Sequence, residues 1–336
     1  MSLGVTGTTH NHGARQATFL PEYARVPSSA FGPPLNEFGY HVGPIKGNLF
    51  WVTDASYQAM FLTTETGVVL VDAPPTIGPN LIRAINDVTS ANGRPSTVTH
   101  LVYSHFHADH IGAAVLFGDT AEYVAHRETE RLLRTAGDTN RPVPTTTFQD
   151  TYSLQVGGER LELAYHGPNH TADNIFVYAP DHDTLCVVDV LSPGWAPFQH
   201  LMVSQEIPNW IKANERIMEY SWSTFMGGHA GRLGTREDAR LQLGYLNDLT
   251  ASVRAVNDAM DPLRYFVKYG PSGNSYASLK HYLQDAAQQA AEPVIAKYIE
   301  QLAGVDVVTA DNAYTLIECL RNDAGFLPGI FGLRQS

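Results

Sequence analysis

Cysteine is scarce in this chain: Cys186 and Cys319 are the two among 336 residues. They stand far apart, without the partner spacing of a zinc knuckle or a redox pair, so two buried thiols are expected. Cys186 lies inside the apolar run Leu185-Cys186-Val187-Val188, where a small hydrophobe fits. Basic residues are also in deficit. Lys and Arg number 22 against 34 Asp and Glu, a formal charge of −12, which argues against the clustered cationic footprint of a nucleic-acid binder. No run approaches the roughly 18 consecutive apolar residues that a membrane span needs. Met1 to Gln16 lacks the charged start and apolar middle of a signal peptide. A cytoplasmic protein with no membrane partner is therefore expected, unless the native N-terminus carried a leader that is missing here.

What is present is the material of a folded enzyme. Hydrophobic residues make up 43% and charged residues 17%, and sixteen Tyr with fourteen Phe can fill a sizeable core. The length accommodates one large catalytic domain plus an appended element. Residues 1–47 read as an N-terminal arm rich in Pro, Gly and small polar residues, in which His10 and His12 are solvated side chains.

Residues 48–234 read as the catalytic domain, of α/β class. Short strands are expected at Leu49 to Thr53, Ala59 to Thr63 and Gly67 to Val71, followed by a helix at about Pro79 to Val88 that Gly93-Arg94-Pro95 stops. A strand at Val98 to Tyr103 comes next, then a second strand-and-helix pair. Four further strands cover Tyr152 to Leu154, Leu161 to Tyr165, Ile175 to Tyr178 and Thr184 to Val188, and a last short one covers Thr224 to Met226. Residues 235–336 read as a helical C-terminal extension packed on that domain, with helices at Arg236 to Met260, Tyr276 to Ala290, Pro293 to Leu302 and Asn312 to Asn322. Asn80 and Pro293 serve as helix-start signals. The apolar stripe of the extension suits core packing, and equally a homodimer contact or a wall of the substrate pocket.

The strand ending at Tyr103 runs straight into Ser104-His105-Phe106-His107-Ala108-Asp109-His110. Four ligand-type side chains within six residues are hard to explain as packing. His105 and His107 leave the same side of an extended segment and can grip one ion, while Asp109 and His110 follow as the chain turns toward a helix and can reach a second. Imidazole and carboxylate are ligands of catalytic zinc. With no thiolate in the run, iron or manganese is also permitted. One segment cannot complete two coordination spheres. His170, in a turn between strands, Asp189, at the end of Leu185 to Val188, and His229, in Gly227-Gly228-His229, stand at strand mouths where ligands gather. Asp183 is a rival to Asp189, but it lies in the turn-like Asp181-His182-Asp183 instead of ending an apolar run. His41, His126, His166 and His200 carry no spacing argument.

The arrangement His-x-His-x-Asp-His, then His, Asp and His at strand ends, resembles the metallo-β-lactamase superfamily across about Asn48 to His229. The resemblance implies a four-layer αβ/βα sandwich with two metals, as two Zn2+, at one edge of the packed sheets. It implies that His105, His107 and His170 hold the first metal, that Asp109, His110 and His229 hold the second, and that Asp189 bridges them. A bridging Asp is the pattern of the lactonase, glyoxalase-type thioesterase and methyl parathion hydrolase branches. Asp72 resembles the family's buried aspartate beneath the motif loop, a supporting group rather than a ligand. Two departures stand out: Asn169 precedes the third histidine, and Val188 precedes Asp189, where the family often has Gly. Asn169 offers either a hydrogen bond to substrate or an ordinary turn residue.

The implied function is hydrolysis of a small ester, lactone or lactam by a hydroxide bridging two zinc ions, with Asp109 orienting the attack. Phosphotriesters and aryl halides are alternative substrates, and an iron-dependent sulfur dioxygenase is the alternative outside hydrolysis. Trp195 and Phe198 suit an apolar substrate and equally suit loop packing.

Overall fold

The computed structural model of the chain describes residues 23–322; His10 and His12 fall outside them. Twelve strands form two sheets among the described residues. The first holds β1 (His41–Lys46), β2 (Leu49–Thr53), β3 (Gln58–Thr63), β4 (Val68–Val71), β5 (Val98–Val102), β6 (Glu122–His126) and β7 (Thr146–Phe148), in that order. It is antiparallel from β1 to β4 and parallel from β4 to β7. The second runs β12 (Thr224–Met226), β11 (Thr184–Cys186), β10 (Phe176–Ala179), β9 (Glu159–Ala164) and β8 (Thr151–Val156).

The sequence Val68-Val69-Leu70-Val71 explains the layering. All four side chains are buried, as in a strand covered on both faces. Because successive side chains alternate, Val68 and Leu70 join the cluster containing Leu81 and Ile85 of helix α1 (Asn80–Asn92). Val69 and Val71 join the cluster that includes Leu161, Leu163, Val177 and Met226 of the other sheet. On the far side of the second sheet, Phe176, Leu185 and Phe225 pack with helices α5 (Ile207–Ile217), α6 (Arg236–Ala259), α8 (Ser275–Tyr298) and α9 (Val305–Asn322). The result is helix, sheet, sheet, helix, the four-layer αβ/βα sandwich. Gly93 caps α1 at φ 72°, and its N–H bonds the Thr89 carbonyl, as the Gly-Arg-Pro stop signal requires.

Several elements differ from expectation. β1 lies within the stretch read as an arm; it is an edge strand, which tolerates Pro44, and its ladder shifts register between Pro44 and Lys46. β7 lies just after Pro142 and Pro144, in a stretch with no expected strand, and α7 (Leu263–Tyr269) was not foreseen. Pro293 does not start a helix. It sits inside α8, which continues to Tyr298, where the burial of Ala286, Ala287, Ala290, Ala291 and Val294 outweighs the lost backbone bond. Ser252 on α6 donates to the Ala290 carbonyl at 2.7 Å, one turn before the proline. α6 begins with a capping box between Thr235 and Asp238.

Trp210 on α5 ties the outer helical layer to the sheet edge. Its ring is fully buried, and its indole N–H donates to the Asp189 carbonyl at 2.9 Å. Trp210→Ala is expected to cost about 3–5 kcal/mol of folding stability, read as a lower midpoint in chemical denaturation. An unchanged midpoint would contradict this packing.

Candidate metal centre

β5 delivers the histidine run to the edge of its sheet. The Tyr103 amide makes the last ladder bond, to the Val124 carbonyl at 3.0 Å. The Ser104 amide then turns to Asp72 Oδ1 at 2.8 Å. From there His105 and His107 project together with ring centroids 4.6 Å apart, as their spacing in an extended segment requires. A single helical turn, α2 (Ala108–Ile111), starts at once, with the His110 and Ile111 amides bonded to the His107 carbonyl. That change of backbone separates Asp109 and His110 from the first two histidines.

The other three residues arrive from the second sheet. His170 lies in the loop between β9 and β10. Asn169 Oδ1 accepts the His170 amide at 2.7 Å and Asn174 Nδ2 at 3.0 Å, so Asn169, itself buried, is spent on holding its own turn and not on substrate. Asp189 follows two residues that prolong β11, and its amide bonds the Gly227 carbonyl at 3.1 Å. Its φ is 60°, close to the 61° of Asp72 at the end of β4. Aspartate tolerates this left-handed conformation better than most residues, and in both sheets it aims a carboxylate back under the loops. Asp183, with 46% of its side chain open, is ion-paired with Lys46 and takes no part in the cluster. His229 follows β12 and Gly228, whose φ is 83° and where a Cβ would stand 2.5 Å from Val188 Cγ1. Gln58 grips this loop, its amide side chain donating to the Ala230 and Arg232 carbonyls.

All seven side chains converge. Ligand-type atoms of His105, His107, His170 and Asp189 lie within 4.8 Å of one another, as do those of Asp109, His110 and His229. Asp189 touches both groups: Oδ2 is 3.1 Å from Nε2 of His110 and of His170, and Oδ1 is 3.1 Å from His229 Nε2. Imidazole nitrogens crowd against one another, His170 Nε2 at 3.2 Å from His107 Nδ1 and His110 Nε2 at 3.1 Å from His229 Nε2.

The electrostatics are those of ligands pressed together. Burial first, then neighbouring imidazoles, holds His105 well below its ordinary range and His107 down to about 4. Burial also opposes charge on His110, but the Asp189 carboxylate, with Asp109 and Asp72 behind it, raises this histidine to about 9. Burial likewise opposes charge on Asp189, yet His110 and His170 keep it well below the usual carboxylate range. Asp72 is fully buried and pushed up to about 6 by that burial. Its Oδ1 secures the Ser104 amide, while its Oδ2 has no hydrogen-bond partner among the described residues. It therefore supports the motif loop through the backbone and through its charge near His110, and not by accepting an imidazole N–H.

The donor set fits divalent cations. His105 Nε2 is buried without a hydrogen-bond partner and faces Asp189 Oδ2 at 3.6 Å, an arrangement that a shared cation satisfies and that apolar packing does not. Imidazole and carboxylate without thiolate suit zinc, iron or manganese. Both cysteines are buried, and neither belongs to the cluster.

Sequence reasoning passed over Tyr57 and Asp173. Tyr57 sets its ring 4.7 Å from that of His229, tilted by 50°, and burial, then the Asp109 and Asp189 carboxylates, raises its phenol. Asp173 accepts from Thr171 at 2.7 Å and braces the His170 loop. A lone Tyr before a strand and an Asp inside a turn carry no spacing signal.

The comparisons with known proteins agree with this geometry. The profile of the metallo-beta-lactamase superfamily matches residues 52–221. The chain is 26% identical over 196 residues to 2,4-dinitroanisole O-demethylase subunit alpha of Nocardioides sp. strain JS1661, covering 58% of this chain and 58% of that protein. It is 26% identical over 173 residues to metallo-beta-lactamase type 2 of Elizabethkingia meningoseptica, covering 51% of this chain and 67% of the relative. Among solved structures, a metallo-beta-lactamase from Pontibacter korlensis superposes with a TM-score of 0.52 at 22% identity, covering 62% of this chain and 99% of that one, a likeness of fold.

A raised His110 is protonated at neutral pH in the metal-free protein, and coordination needs the neutral ring. Zinc uptake at pH 7 is therefore expected to release about one proton or more per chain, and affinity should climb as pH rises toward about 9. Calorimetric titration in buffers of different ionisation enthalpy measures this. Heats independent of the buffer would contradict it.

Proposed function

The chain belongs to the metallo-β-lactamase superfamily, and from that premise we propose that it is a hydrolase that uses two zinc ions to cleave a small ester, lactone or lactam. His105, His107 and His170 would hold one cation, and Asp109, His110 and His229 the other, with Asp189 shared between them. The observation that carries this reading is the position of Asp189, whose two carboxylate oxygens stand 3.1 Å from imidazoles of both sets. Bound cations would supply the acidity that ionises water near neutral pH and the charge that polarises the scissile bond.

The chain's own side chains supply the rest. Asp109 is the most exposed of the seven, with 42% of its side chain open, and it borders a cavity of about 710 Å³. A carboxylate there can take a proton from the attacking water and return it to the leaving group. Tyr57, whose phenol is near enough to feel the Asp109 carboxylate, can donate a hydrogen bond that orients it. Trp195, Phe198, Met202 and Val308 line the same cavity, so an apolar substrate group can bind there and keep bulk water out.

A second reading is displacement at an activated aromatic ether, or at an aryl halide or phosphotriester. The relative named 2,4-dinitroanisole O-demethylase subunit alpha favours an aromatic substrate. The matched stretch spans 58% of that protein's length, so its substrate enters only as a member of the test panel. Homodimerisation through the helical extension is a further proposal, with a small molecule as substrate and neither nucleic acid nor membrane as partner. No helix among the described residues is long and apolar enough to cross a membrane.

The test is metal analysis with turnover of a panel of lactones, aryl esters, a lactam and dinitroanisole, before and after chelation. Two zinc equivalents, loss of turnover on chelation and recovery on adding zinc are expected. Stoichiometric iron with oxygen uptake, or turnover indifferent to chelation, would contradict the proposal. Tyr57→Phe is expected to lower kcat about 10- to 100-fold with zinc content retained, the worth of one hydrogen bond to a charged group. An unchanged kcat would remove Tyr57 from the orienting role.

A further inference from the structure

Part of the lining of the cavity beside the metal cluster is carried by an unusual backbone. In α4 (Gln199–Val203), His200, Leu201, Met202 and Val203 have φ of 55°, 53°, 64° and 55°. Four consecutive left-handed residues, none of them glycine and one β-branched, cost about 1–2 kcal/mol each. Such a segment persists only where its surroundings over-determine it, and strain of this kind gathers at ligand clamps. Met202 and Val203 line the cavity from this turn, as does Phe198 just before it. Phe198 and Val203 are 57% and 59% exposed, which leaves an apolar rim at the mouth.

What holds the turn comes from α9. Asn312 is fully buried. Its Oδ1 accepts the Leu201 amide at 2.8 Å, and its Nδ2 donates to the Pro197 carbonyl at 2.8 Å, so one side chain spans the start of the turn. Tyr245 fixes Asn312 in turn, the two side chains meeting at 3.2 Å. Thr315 and Asp311 reach His200 and Gln199 at 2.9 and 3.0 Å. The same helix presents Val307 and Val308 to the cavity beside Ala303 and Gly304. α9 thus lines the cavity and also braces the turn that shares the lining, although it lies beyond the residues 52–221 that the family profile matches. Among the described residues, no Lys or Arg lines this cavity.

We propose that Asn312 is a positioning residue that locks the left-handed turn, so that Phe198, Met202 and Val203 line the cavity together with Val307 and Val308 as an apolar clamp, without Lys or Arg among the described residues, that selects substrates whose group remote from the scissile bond is uncharged and apolar. This deepens the hydrolase reading and rests on it for the word substrate. The clamp itself can be probed without turnover. A carboxylate carried into it would give up part of its hydration with no Lys or Arg among the described lining residues to receive it.

The experiment uses the full chain, zinc-loaded and chelated, with the neutral fluorescent probe N-phenyl-1-naphthylamine. Binding of the probe is expected in both forms, displaced by a neutral hexanoate ester. Asn312→Leu and Val307→Arg are each expected to weaken it about tenfold. Val307 is 44% exposed, so its variant folds even if the buried Asn312 variant does not. On the loaded enzyme, 4-nitrophenyl hexanoate should exceed the 4-nitrophenyl monoester of adipic acid in kcat/KM by about tenfold or more, with Val307→Arg narrowing that ratio. Absence of probe binding, affinity unchanged in a folded variant, or equal use of the two esters would overturn the clamp. Probe binding and variant effects as expected with no ester turnover would leave the clamp standing and count against the hydrolase reading alone.

Discussion

One buried carboxylate governs the architecture of this site. Asp189 is removed from water and yet stays ionised, which is affordable only because imidazoles from three other stretches stand against it. The surrounding backbone serves that contact. A left-handed φ turns the side chain inward, the Gly227 carbonyl and the Trp210 indole pin the main chain on either side, and Gly228 leaves room for His110 and Val188 where any side chain would collide. The two sheets are brought to a common edge so that the histidine run after β5 can meet the loops after β9, β11 and β12. Asp72 repeats the same backbone conformation at the end of β4, where it secures the Ser104 amide and so the start of the run.

The converging ligand-type side chains and the apolar lining of the cavity come from different parts of the chain. The seven converging side chains belong to the sandwich, and all but His229 fall within the stretch that the family profile matches. The apolar lining of the cavity they border is shared between a strained turn at Gln199–Val203 and α9, which packs into the same core as the second sheet. α9 buries Ala313, Leu316 and Ile317 in that core, beside the Asn312 that bonds the turn. The same helix therefore joins the core and lines the cavity with Val307 and Val308.

Much of this was legible in the sequence because it depends on local pattern. The alternation in Val68-Val69-Leu70-Val71, the stop at Gly93 and the six-residue histidine run are read directly from spacing. His170, Asp189 and His229 were legible as polar residues ending apolar strands, and the contrast between Asp189 and Asp183 followed from which of them closes such a run. The rest depends on tertiary context. β1 hides because an edge strand can carry Gly43-Pro44, and α8 runs through Pro293 because burial of its alanine stripe overrides the proline. The left-handed turn has no glycine to announce it, since Asn312, more than a hundred residues later, imposes it. Tyr57 and Asn169 are single polar residues whose roles exist only once the loops are assembled.

The most direct measurement of the central claim is anomalous scattering at the zinc edge from crystals of the purified protein. Two peaks are expected on either side of the Asp189 carboxylate, one within reach of His105, His107 and His170 and the other within reach of Asp109, His110 and His229. A zinc-supplemented crystal with no peak there, or with metal only at other histidines, would contradict the account.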